Sequence, residues 1–483
     1  MIDLDQLEEL VRAGKFQQVA GIIEGLNAKK IPRGDAARLA NLANRAEQSR
    51  FALRVLYPIV RSEQEAIVAN DRERIEYADA LRRTGLLNEA LELLATVDAS
   101  TTPSAHLTAA ICLFNKWQYA EAMPHLRRLV AVTQPEDYLN VIARVNLAAA
   151  CVHEEFDDEA LELLEGICAQ TRAAGQTLLL GNSLELMAQV FIRRKDWAGA
   201  GRVLHDAESI FAKDSGKYLS WVLKWRAVAT SLKSGAVTAE LLDCRERAIV
   251  HGHFEIHRDC DLFIGAIRED FQLLHKVYFG TSNLAFRKRI ARFAPGLKAP
   301  ESYLWLPSGG EPEEIFDLLA GSVAEGPALK RAGLLHQLMI LLCSDFYRPT
   351  SIGAVFNTLF ASERYGQQGS ANRVSQLVRR LRRWCESNEL GLTIVEQHGK
   401  YRLQASPATA VRVPAQMPDS SRQAVVWSQV KPQIPPRMFT RSELEEISHF
   451  SSTNTKRLLR WALDTGEVET VGSGSAIRYR LVA

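Results

Sequence analysis

Between residues 372 and 385 the stretch NRVSQLVRRLRRWC sets Arg373, Arg379, Arg380, Arg382 and Arg383 among Val374, Leu377, Val378, Leu381 and the Trp384/Cys385 pair. The apolar residues recur at i, i+3, i+4, i+7 and i+10/11, which is one stripe of an amphipathic helix. The arginines and Gln376 then share the opposite face with almost no acid to balance them. Solvated helix faces usually mix charge signs, so a one-sign face points to an anionic partner. Guanidinium groups neutralise and fork onto phosphates, while amides such as those of Asn372 and Gln376 have the donor and acceptor pattern that reads base edges. Near the end of the chain SSTNTKRLLR repeats the theme, with Ser452, Thr453, Asn454, Lys456, Arg457 and Arg460 opposite Leu458 and Leu459.

Other groupings carry less. HGHFEIHRDC (251–260) offers His253 and His257 at i, i+4, the spacing of two metal ligands on a helix, but the residues between them follow the apolar pattern of a packing helix. GSGSA (472–476) lacks the GK[ST] of a phosphate loop and lies between two strand-like segments, so it reads as a hairpin turn. Trp117, Trp197, Trp221 and Trp225 sit at helical packing positions and read as core. With no nucleophile elbow, HExxH or paired carboxylates, the sequence argues for neither an enzyme nor a metal or other cofactor.

Charge is divided along the chain. Residues 327–483 hold 21 Lys and Arg against 12 Asp and Glu, whereas residues 1–326 hold 38 against 45. The C-terminal third is therefore the part suited to a polyanion. The seven cysteines show no CxxC, MIDLDQLEEL is acidic where a signal peptide would be basic, and no apolar run approaches the ~18 residues of a membrane span. The expectation is a cytoplasmic, nucleoid-associated protein with no membrane partner.

The basic helices need elements to hold them. Short turns followed by an Ala-containing helix start recur as GKFQQVA, GLLNEALELL, WQYAEAMPHL, FDDEALELL and DWAGAGRVL, aligned on Ala20, Ala90, Ala122, Ala160 and Ala200, with a weaker copy at SRFALRVL (49–56). Each small residue lets paired helices approach, and each hairpin buries its face against the next. The spacing and phrasing resemble tetratricopeptide repeats. FIGAIREDFQLLHKVYF (263–279) reads as one long amphipathic helix closing the array. Near residue 298 the texture changes to strand-like segments such as YLWLP, and QASPATAVRVPAQMPDSSRQ (404–423) is rich in Pro, Ser and Ala, like a linker.

Around the basic helix the pattern is helix (328–344), helix (349–360, capped by Thr350 or Ser351), basic helix, then LTIVEQHGKYRL (392–403) as a hairpin turning at His398 and Gly399. This order, after leading strands, resembles the OmpR/PhoB-type winged-helix DNA-binding domain across 303–405. The resemblance implies that the third helix enters the major groove and the hairpin reaches a neighbouring groove or backbone. By position it sets Asn372, Arg373, Ser375, Gln376, Arg379, Arg380 and Arg383 against DNA, with Lys400 and Arg402 serving the wing. The wing carries QHGKY where the family has Gly-x-Gly-Tyr, and repeats stand where a receiver domain would be. The C-terminal FTRSELEEIS, basic helix and VETVGSGSAIRYRLV resemble the compact winged helices of bacterial regulators, adding Ser473, Ser475 and Arg478 at a second wing.

The expectation is a mainly α protein: a TPR-like helix-hairpin superhelix over 1–298, a winged helix-turn-helix domain over 299–405, a linker over 406–422 and a second winged helix over 423–483. Its expected role is a transcriptional regulator that binds double-stranded DNA, the array taking a protein or peptide partner or pairing two copies in a homodimer. The alternative is a non-enzymatic scaffold whose winged helices dock proteins.

Overall fold

The computed structural model describes residues 3–212, 218–306, 311–324, 326–331, 333–361, 363–366, 369–415, 423, 426–427, 430–472 and 477–482. The chain is mainly helical and divides into two compact units. One comprises Met1–Ala299, Leu342–Gln376 and Ile394–Leu403; the other comprises Pro300–Leu341, Leu377–Thr393 and Gln404–Ala483.

In the first unit the helices follow one another as hairpins, among them Asp71–Thr84 with Leu87–Leu94, Ser104–Asn115 with Tyr119–Val132, Tyr138–Glu154 with Asp157–Ala173, and Thr177–Arg193 with Trp197–Phe211. The alanines that mark the repeat explain the close pairing. Ala90, Ala122, Ala160 and Ala200 are fully buried, and a larger side chain at these positions would push the paired helices apart. Successive hairpins share one continuous core from Ala110 to Ile264, as expected where each repeat completes its burial against the next.

The segment expected as one helix over 263–279 is two. Phe254–Arg268 ends at Glu269, whose φ of 54° is left-handed, and Phe271–Phe279 starts under Asp270, whose carboxylate accepts from the Leu273 amide. The sequence Arg268-Glu269-Asp270 thus carries a stop and a cap that the apolar periodicity runs straight through.

The second unit holds a four-stranded sheet in which Thr409–Pro414 lies between Ser302–Trp305, antiparallel to it, and Glu314–Asp317, parallel to it; Ser322–Val323 completes the edge. Part of the Pro/Ser-rich stretch read as a linker is therefore a strand. Ala410 and Val411 are fully buried there, as is Phe316 beside them. The C-terminal residues build a separate small core of Trp427, Val430, Ile434, Phe439, Leu444, Leu458, Leu459, Ala462 and Val468. Arg441–Ser448 begins with the expected capping box of Thr440 and Glu443, Ser452–Asp464 follows, and Val468–Val471 pairs antiparallel with Arg478–Leu481. Among the described residues no helix is long and apolar enough to cross a membrane.

Candidate nucleic-acid interface

The elements around the basic helix occur in the expected order. Leu334–Leu342 is followed by the short strand Thr350–Ser351, the helix Ile352–Leu359, the long helix Gly369–Ser387, and strands Leu392–Gln397 and Lys400–Ala405. Ser351, not Thr350, is the cap: its hydroxyl accepts from the Ala354 amide at 3.1 Å.

Gly369–Ser387 has the two faces read from its sequence. Val374, Leu377, Val378, Leu381 and Cys385 are buried, while Asn372, Arg373, Gln376, Arg379, Arg380 and Arg383 are exposed and Ser375 is half-buried. The arginines are not equivalent. Arg373 pairs with Glu363 and lies 4.2 Å over the Phe360 ring, so it is already engaged within its own segment. Arg379, Arg380 and Arg383 form no ion pair among the described residues, which leaves three adjacent cations open to a partner.

At the hairpin, His398 and Gly399 take left-handed φ values of 53° and 72° and make the tight turn. Lys400 is exposed beside Ser351 in the strand register. Arg402 has a structural task, since its guanidinium donates to the Tyr347 carbonyl at 2.7 Å. In the C-terminal unit Ser452, Thr453, Asn454, Lys456, Arg457, Arg460 and Arg478 are all exposed. Ser473 and Ser475 lie outside the described residues.

Sequence reasoning missed that the turn before this helix pair, and the first helix of the pair, pack against the repeat hairpins within the first unit. Asp345 builds the turn by accepting from the Tyr347 and Arg348 amides at 2.9 and 2.8 Å, and its other oxygen takes Arg258 at 2.7 Å. The Tyr347 hydroxyl donates to Asp261 at 2.8 Å, and the Phe346 amide donates to the Gly280 carbonyl. Asp261 also meets Arg245 at 2.5 Å, Lys276 at 2.9 Å and His257 at 3.4 Å. Burial alone would raise the Asp261 carboxyl, but the contact with His257 and the charges of Lys276 and Arg245 outweigh it and hold the group well below the usual carboxylate range. His257, read as one of two metal-spaced histidines, is thus a member of an ion network, while His253 is the exposed residue at the helix start.

The second contact lies at the Gly85 turn. The Ser351 hydroxyl donates to the Thr84 carbonyl at 3.1 Å, the Asn88 amide donates to the Asn357 side chain at 3.2 Å, and the Tyr365 amide donates to Glu89 at 3.0 Å. Gly85 has φ 96°, and a β-carbon there would sit 2.5 Å from the Ser351 hydroxyl. At the hairpin tip, a β-carbon on Gly399 would lie 2.4 Å from the Arg50 guanidinium. The signal available in the sequence was the run Arg258-Asp259-Cys260-Asp261, charges inside a helix otherwise patterned for burial.

No family model and no curated protein matches this chain. Solved structures similar to parts of it are repeat proteins. One is a kinesin-light-chain protein of nearly identical TPR-like repeats from Podosopora anserina, at 22% identity and TM-score 0.30, covering 37% of this chain and 94% of that one. The apo form of RapI has 15% identity and TM-score 0.42 over 60% of this chain and 87% of its own. A Rap protein complexed with competence and sporulation factor has 11% identity and TM-score 0.37 over 61% and 85%.

Proposed function

We propose that this chain is a transcriptional regulator that binds duplex DNA through the exposed face of Gly369–Ser387, with the helix-hairpin array receiving a protein or peptide partner or a second copy. The observation that carries the reading is the trio Arg379, Arg380 and Arg383, exposed and without carboxylate partners, on a helix whose other face is buried. Such a face neutralises phosphates, and Asn372 and Gln376 on its N-terminal half are the groups able to read bases. Lys400 serves the wing. The second basic helix adds Lys456, Arg457 and Arg460, which likewise form no ion pair among the described residues.

The test is fluorescence anisotropy on a labelled duplex across a salt series. Three to five neutralised phosphates give a slope of log K against log salt of about −2.7 to −4.5, a loss of roughly 40- to 500-fold between 50 and 200 mM salt. Arg379→Ala with Arg380→Ala should shallow the slope by about two. Gln376→Ala should alter which sequences are preferred, whereas Lys400→Ala should weaken all alike. Absence of binding at low salt would remove the reading.

A second reading has its own support. Helix Ile352–Leu359 and its preceding turn are already engaged with protein, the repeat hairpins. On that reading the helix-and-hairpin segments serve to dock proteins, and the salt series finds no DNA complex.

A further inference from the structure

Six aromatic residues, Phe114, Trp117, Tyr119, Trp221, Trp225 and Phe254, line a cavity of about 330 Å³ within the first unit. Three tryptophans that periodicity assigned to the core thus reach a space large enough for a ligand, at the lower end of the roughly 300–1,000 Å³ usual for small-molecule sites. Among these rings the protein has set its own charges. The Lys224 ammonium, fully buried, is 2.6 Å from Asp259 and lies 3.8 Å from the centre of the Trp225 ring and 4.7 Å from that of Trp221. Arg289 is 3.5 Å from the other Asp259 oxygen and also stands over Trp225. Asp259 is therefore occupied by two resident cations. The faces of Trp221 and Trp225 that would attract a cationic ligand are already served by Lys224.

What remains open is a positive charge. Arg348 lines the same cavity, is exposed, stands 5.5 Å over the Phe254 ring and forms no ion pair among the described residues. The second carboxylate on the wall, Glu255, is pushed up by burial, with the charges of Arg258 and Arg348 opposing the shift; the lining then sets three cations, Lys224, Arg289 and Arg348, against the two carboxylates Asp259 and Glu255. His153 is stacked on Tyr119 and is held neutral to about pH 3, chiefly by burial.

We propose that this cavity binds a small aromatic anion, its planar body among the tryptophan and tyrosine rings and its carboxylate on Arg348. Neutral and cationic analogues of the same shape bind less well, because only the anion satisfies the open guanidinium. Arg348 is itself one of the turn residues that Asp345 organises, so the ligand touches both the repeat hairpins and the segment leading into helix Ile352–Leu359. The proposal stands independently of DNA binding.

Isothermal titration calorimetry on the full chain tests it with three probes: 3-phenylpropionate, its amide and 3-phenylpropylamine. The acid should bind saturably and the other two about tenfold more weakly or worse, the usual scale for one charge-assisted hydrogen bond. Arg348→Ala, at an exposed position, should bring the acid to the level of the amide and leave the amide unchanged, and Arg348→Lys should restore part of the preference. Trp221→Ala should weaken acid and amide together. Equal affinity for acid and amide, an acid preference that survives Arg348→Ala, or no heat from any probe at millimolar concentration would overturn the proposal.

Discussion

Gly353 offers a substitution whose sign is set by whether helix Ile352–Leu359 is seated on the repeats. A β-carbon at Gly353 would lie 2.1 Å from the Thr84 carbonyl oxygen, 2.9 Å from its carbon and 3.3 Å from Leu86. The obstacle is backbone, so relief requires the helix to move by about an ångström, and overpacking of this kind costs about 1–3 kcal/mol. Against this, alanine is favoured over glycine by up to ~1 kcal/mol inside a helix, and by less in the first turn where Gly353 sits. For a seated helix the net effect of Gly353→Ala is a loss of about 1–2 kcal/mol; for an unseated one it is a small gain. Hydrogen exchange read by mass spectrometry, with thermal unfolding, separates the two. The Asn88 and Tyr365 amides, which donate to Asn357 and Glu89 across the contact, should exchange faster in the variant. Gly201→Ala is the matched control, because Gly201 is exposed in the helix Trp197–Phe211 and a β-carbon there meets nothing within 4 Å; it should stabilise. If Gly353→Ala raises the melting temperature as the control does and leaves exchange at Asn88 and Tyr365 unchanged, helix Ile352–Leu359 is not seated on the repeats.

Three further outcomes follow from burial. Burial pushes the Glu76 carboxyl up to about 7 from 4.5, with the Asn41 amide opposing the shift; its folded state then holds the proton more tightly than the unfolded chain, so stability falls as pH rises from about 4.5 through 7. Glu76→Gln should remove that decline and gain about 2–3 kcal/mol at pH 8 in urea unfolding. Asp261 runs the opposite way: held low by its partners, it contributes fully above its ordinary value near 3.8 and loses that contribution as pH falls further. Asp261→Asn should therefore cost about 3–5 kcal/mol at neutral pH and flatten the acid side of the stability curve. Finally, limited proteolysis should spare Thr409–Pro414 in the native protein, and Val411→Ala should open it to cleavage at a cost of about 1–3 kcal/mol; cleavage of that strand at the same rate as an exposed turn would count against its pairing.

What the sequence disclosed was local. The repeat alanines Ala90, Ala122, Ala160 and Ala200, the apolar stripe of Val374, Leu377, Val378 and Leu381, the His398-Gly399 turn and the Thr440–Glu443 capping box each state their structure within a few residues, and each is found as read, whereas Ala20 is only half-buried. What it concealed depends on partners distant in the chain. Thr409–Pro414 looks like linker text because its flanks are Pro and Ser, and only strands about a hundred residues earlier show why Ala410 and Val411 are buried. Asp261 and Tyr347 carry no mark of each other across a sequence separation of 86. Trp117, Trp221 and Trp225 obey core spacing, and periodicity cannot tell a filled core from the wall of a cavity. Of the proposed DNA-facing residues, exposure and open charge at Arg379, Arg380 and Arg383 were legible, whereas the engagement of Arg373 by Glu363 and of Arg402 by Tyr347 was not.

The strand order of the four-stranded sheet has a consequence for a chain emerging from the ribosome. Ser302–Trp305 and Glu314–Asp317 are made early but are not neighbours; the strand that joins them, Thr409–Pro414, is made last. At about 5–20 residues per second this leaves both strands without their central partner for roughly 5–20 s. During that interval their backbone edges and the Phe316 side chain are open to other nascent chains. A polypeptide that stops anywhere before residue 414 keeps those edges unpaired for good, the condition in which strands seek partners on other molecules. Completion of the sheet is thus a checkpoint on having been synthesised past Thr409–Pro414.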